Sequence, residues 1–127
     1  MRYNNPGLYL AALNAAYTML GYADGYSAKL ETLESPSNGD MIAIDTIGKF
    51  PNLSSVCVHS MTTVLREKAS KLDESLLYIG SFRDPNTKEL MFELSINIDN
   101  LDKAKEIGGI HDQEYIYDVI NKEVIKL

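Results

Sequence analysis

LMFELSINI, residues 90–98, decides the fold. Leu90, Phe92, Leu94, Ile96 and Ile98 alternate with Met91, Glu93, Ser95 and Asn97. An apolar–polar period of two sustained this long marks a strand with one face in a core, because successive strand side chains point to opposite sides. Upstream, DPNTKE at 84–89 holds the Pro and Asn of a turn, and Leu76 to Phe82 reads as the antiparallel partner. Downstream, Asp99 or Asn100 is placed to cap a short helix holding Leu101, Ala104 and Ile107, with Gly108 and Gly109 ending it. Tyr115 to Val119 and Glu123 to Leu127 form a final hairpin around Asn121 and Lys122.

The N-terminal half is less regular. Asn5 followed by Pro6 opens a helix in which Leu10, Leu13, Tyr17 and Leu20 recur at helical spacing and Gly21 marks the stop. Its apolar run is broken by Asn14 and Thr18 and only Arg2 precedes it, the pattern of a mature amphipathic helix rather than an export leader. Residues 26–34 fit either helix or strand. SPSNGD at 35–40 is the clearest loop, MIAID at 41–45 a short buried strand, and SVCVH at 55–59 a candidate second strand. Ser60 is placed to cap a helix whose Met61, Val64, Leu65, Lys68 and Leu72 lie on one stripe. Together these elements predict a single α+β domain over 1–127, an antiparallel sheet of about four to five strands packed with two to three helices.

Composition narrows the function classes. The net charge is −6 with 18 acidic against 12 basic residues, which argues against duplex nucleic acid and anionic membranes and fits docking on a basic partner. No run reaches the ~18 apolar residues of a membrane span. One cysteine, Cys57, precludes an intrachain disulfide and points to a reducing, cytoplasmic setting. Metal binding needs three or four converging ligands, and Cys57, His59 and His111 do not complete such a set. With Val56 and Val58 around it, Cys57 reads as a small core residue rather than a nucleophile. No phosphate-binding glycine loop is present, and no cofactor, metal or catalytic residue is expected.

Aromatic and basic groups are the remaining candidates. The chain has eight tyrosines and three phenylalanines but no tryptophan, and tyrosine suits surfaces that are half apolar and half polar. Phe82 can stack on a flat ring or close the hairpin core. Arg83 can fork onto a phosphate or stay solvated. Asn97 and Asp99 can hydrogen-bond hydroxyls or serve the helix cap.

The segment FRDPNTKELMFELSINIDNLDKAKEIGGIHDQEYIYDVINKEVI, from Phe82 to Ile125, resembles the phage Thoeris anti-defence family, over about a third of the chain. The shared pattern is a strand, an acidic turn, a strand ending in Asn-x-Asp, a short helix ending near glycine, and a hairpin containing Tyr-Asp. Members of that family are sponges that bind cyclic ADP-ribose isomers and assemble as oligomers with pockets between subunits. The resemblance implies that Phe82, Arg83, Asn97 and Asp99 face a small cyclic nucleotide, with Arg83 or Arg66 meeting its phosphates, in the host cell cytoplasm. A homo-oligomer is expected independently from the small-residue stretch Ala11–Ala16 and the apolar C-terminal edge. The alternative is an acidic inhibitor, anti-CRISPR or immunity-like, that binds a basic protein target.

Overall fold

The computed structural model describes residues 6–20 and 25–127. Along the chain these form α1 (Pro6–Leu20), β1 (Gly25–Lys29), β2 (Asp40–Phe50), α2 (Val58–Ala69), β3 (Tyr78–Arg83), β4 (Leu90–Ile98), α3 (Leu101–Ile110), β5 (Tyr115–Asp118) and β6 (Glu123–Lys126). The strands pair antiparallel in the order β1-β3-β4-β2-β5-β6, one curled sheet. The class is α+β, with six strands among the described residues rather than four or five. The count rises because the ambiguous segment after Gly25 is a strand, and because the C-terminal hairpin joins the main sheet through Asp40↔Asp118 and Met41↔Tyr117.

Strand β4 occupies the predicted span, and its even-numbered side chains build the core. Leu90, Phe92 and Leu94 are fully buried with Ile79 and Ala28 on their side of the sheet, against Leu8, Ala11, Ala15 and Met19 of α1 and Met61, Leu65 and Ala69 of α2. Phe50 meets Phe92 edge-on at 5.9 Å between ring centres. A second, smaller core lies under α3, where Ala104 packs on Ile42 of β2 and Ile116 of β5. All three helices therefore cover one face, and the odd-numbered residues of β4 point to the other.

Three local expectations change. MIAID extends into an eleven-residue β2 carrying register shifts at Ile44 and Ile47. Each shift sends the following residues to the opposite face, which erases the period-two signal beyond Ala43. SVCVH is not a strand. A short 3-10 turn over Leu53–Ser55 leads to Cys57 as the N-cap of α2, and Ser60 lies inside the first turn. Gly108 and Gly109 lie within α3, not after it. A Cβ at Gly108 would meet Leu127 Cδ1 at 2.6 Å and Ile116 Cγ2 at 3.4 Å, so the glycine permits close approach to the last hairpin. On α1 the buried stripe is Leu8, Ala11, Ala12, Ala15 and Met19, while Leu10 and Tyr17 are exposed. The small side chains face the sheet. The capping role of Asn5 and the stop at Gly21 fall outside the described residues.

Candidate functional site

No helix of the described residues lies on the second face of the sheet, so its polar and aromatic side chains are the natural place to look for chemistry. Cross-strand registry fixes its layout. Tyr78, Gly80 and Phe82 of β3 stand opposite Ser95, Glu93 and Met91 of β4, and Lys29 of β1 stands opposite Tyr78. On the other flank Met41 and Thr46 of β2 stand opposite Asn97 and Glu93.

At the end of this face nearest the 35–40 loop is a depression of about 270 Å³, bounded by Lys29, Tyr78, Asn97, Asn38, Thr32, Ser35, Pro36 and Ser37 and by one acidic residue, Glu34. Asn97 shapes it. Its Nδ2 donates to the carbonyl of Asn38 at 2.8 Å and to Met41 Sδ at 3.2 Å, pinning the loop to the sheet. Gly39 beneath has φ +81°, and a Cβ there would collide with the Asn97 amide. That volume falls just below the roughly 300–1,000 Å³ of small-molecule sites, enough for part of a nucleotide and not for all of it.

Glu93 sits farther along the same face, half-buried, opposite the bare Gly80 and flanked on β3 by Tyr78 and Phe82. Burial pushes its carboxyl up to about 7. No hydrogen bond or ion pair reaches it among the described residues. The nearest charges on this face are Lys29, beyond Tyr78, and Lys49, which is drawn to Glu89 at 3.5 Å. Asp45, although next to Thr46, points the other way and takes Lys68 of α2 at 2.7 Å.

The five residues singled out from the sequence are not gathered into one pocket within a chain. Phe82 and Asn97 share the open face but sit near opposite ends of it, about 20 Å apart at the rise of a strand. Arg83, the next residue after Phe82, points to the helix side and closes the hairpin by donating from Nη1 to the Lys88 carbonyl at 3.3 Å. Arg66 belongs to α2, on the far side of the sheet from Phe82, with its Nε buried and lacking a hydrogen-bond partner. Asp99 is exposed and lies near Asp40 and Asp118. Asp40 is pushed above the usual carboxylate range by burial first, then by Asp118 and Asp99. The cap of α3 is Asn100, whose side chain accepts from the Lys103 N–H at 3.0 Å, so Asp99 is free of that duty.

Cys57 is exposed rather than in the core. Its Sγ accepts from Ser60 Oγ at 3.2 Å, and that bond leads the interactions that lower its pKa. His59 is one residue into α2, so the two do not share a strand face.

Sequence reasoning passed over Lys29, Tyr78 and Glu93. A signal for Glu93 was present, since a charged residue in the middle of a strongly alternating strand marks the face opposite the core. Lys29 and Tyr78 meet only through the pairing of β1 with β3, which local pattern does not specify. No family model, no curated protein and no solved structure matches the chain.

Proposed function

We propose that this chain is a non-catalytic binding protein that sequesters a small cyclic nucleotide immune signal, in the manner of a phage anti-defence sponge. The observation that carries this reading is the depression at Lys29, Tyr78 and Asn97. It combines one cation for a phosphate, Lys29, an aromatic ring for stacking, and hydroxyl, amide and carboxylate side chains, Glu34 among them, that can hold a ribose. The uncovered face continues from it toward Phe82, which gives a ligand larger than the depression somewhere to lie. Arg66 and Arg83 reach such a ligand only as contributions from a second copy, in keeping with a homo-oligomer.

Calorimetry with cyclic ADP-ribose isomers and cyclic dinucleotides tests the reading directly. Binding is expected, with the ligand recovered intact after denaturation, and Lys29→Ala should weaken it by about tenfold, the worth of one charge-assisted contact. Absence of heat with every one of these ligands rejects the sponge, and recovery of a cleaved ligand turns it into an enzyme.

A second reading has its own observation. Asp40, Asp99 and Asp118 crowd one corner of the sheet on a chain of net charge −6. This suits an inhibitor that covers a basic groove on a protein target. Salt-sensitive capture of a basic nuclease, with no small ligand bound, would favour it.

A further inference from the structure

Glu93 is the half-buried, unpaired carboxyl in the middle of the open face, and neither the depression nor the fold uses it. A carboxyl there is costly unless it is neutral or paired. Its surroundings are those of a flat-ring site. Gly80 opposite leaves the sheet without a side chain, Phe82 and Tyr78 stand two residues to either side of it, and Met91 is next along β4. From Phe82 to Tyr78 the strand covers about 13 Å, roughly the length of a nucleoside with its phosphate. The depression with Lys29 lies at the Tyr78 end of that span.

Resting on the sponge reading above, we infer that Glu93 is the base-reading group of this face, hydrogen-bonding the edge of a ring that carries an amino group beside an unprotonated ring nitrogen, as adenine does. The protonated carboxyl offers one O–H donor and one C=O acceptor side by side. That pair matches a ring nitrogen acceptor and an amino donor. Phe82 supplies the stacking surface, and the phosphate end points toward Lys29. The ionised carboxylate offers acceptors only, so it loses the bond to the ring nitrogen. Of the titratable groups on this face, Tyr78, Lys29 and Lys49 occupy the strand positions around Glu93, with Glu89 drawn to Lys49 and Glu34 beside Lys29, while Tyr115, Tyr117 and Lys126 lie on the far hairpin.

Adenosine is the probe, because it carries no titrating phosphate. Amide chemical shifts of the full chain are followed during adenosine titration, and shifts at Tyr78, Gly80 and Phe82 are expected. Binding should weaken about tenfold between about pH 6 and about pH 8, as the protonated fraction falls. Glu93→Gln keeps one donor and one acceptor, so it should bind at both values as the wild type does at the lower one. Phe82→Ala should weaken binding at both. Purine riboside, which lacks the amino group, should bind more weakly than adenosine to both proteins. The inference is overturned if adenosine leaves these amides unmoved, or if Glu93→Gln shows the wild-type pH dependence. It is also overturned if binding tightens at the higher pH with guanosine preferred, since that would mean an ionised carboxylate reading a two-donor edge. Should cyclic nucleotides bind in calorimetry while the adenosine result fails, the sponge reading survives without this assignment. The reverse outcome leaves a base site in a protein that is not a sponge.

Discussion

A glutamate inside a central strand changes how the molecule responds to pH whatever it binds. The folded state raises the Glu93 carboxyl from 4.5 to about 7, so folding favours its protonated form. The stabilisation is fully present below the unfolded value and is lost as pH rises through the folded one. The difference is worth about 3 kcal/mol at most. Urea unfolding at about pH 5 and about pH 8 should show the wild type weaker at the higher value. Glu93→Gln should flatten that slope and raise stability at the higher pH. Equal slopes in the two proteins would mean that water reaches the carboxyl. The same residue shows what the sequence made legible. Alternation placed Glu93, Ser95 and Asn97 together on the non-core face, and they are there. It could not show that Gly80 would stand opposite Glu93, because that depends on the register of β3. It misplaced Cys57, since two flanking valines look like a strand core whether or not a helix begins at the second one.

Among the elements, α3 tests how well caps are read. The sequence offered Asp99 or Asn100, and the structure uses Asn100, whose acceptor reaches the Lys103 N–H. Asn100→Ala should lower stability by about 1 kcal/mol and Asn100→Asp should leave it nearly unchanged, as thermal melts would show. A neutral outcome for the alanine variant would place the cap on Asp99 instead. The β3–β4 hairpin was nearly complete in the sequence because its turn is short and both strands keep their period. Strand β2 was cut short because two bulges switch its faces within eleven residues. For α1 the aromatic and leucine positions suggested the wrong stripe. Alanine marks the buried side there, since the helix lies close against β1 and β3 and larger side chains would hold it off.

The whole molecule leaves both outer strands of its sheet without a neighbour among the described residues, and one of them carries an apolar surface. Val124 on β6 is 66% exposed and Ile120 in the preceding turn 67%, with Tyr115 and Tyr117 beside Val124 on the open face. We expect a dimer or higher oligomer through this edge, as unpaired strand groups next to apolar side chains seek a partner. Light scattering coupled to size exclusion should return at least twice the 14.2 kDa of one chain, and Val124→Lys should shift it toward the monomer. A monomer at every dilution would remove any pocket shared between copies. The small core under α3 has a further effect, this time on time-dependent opening. Ile42, Ala104 and Ile116 are its fully buried members, joined to the main core through the half-buried Ile96, and β5 pairs with β2 only at Asp40 and Met41. A segment held by so little apolar contact can detach while the rest stays folded. In hydrogen–deuterium exchange the amides of 101–126 should therefore exchange as one group, well before those of Ile79, Phe92 and Leu94. Uniform exchange across both regions would instead make the sheet a single cooperative unit from edge to edge.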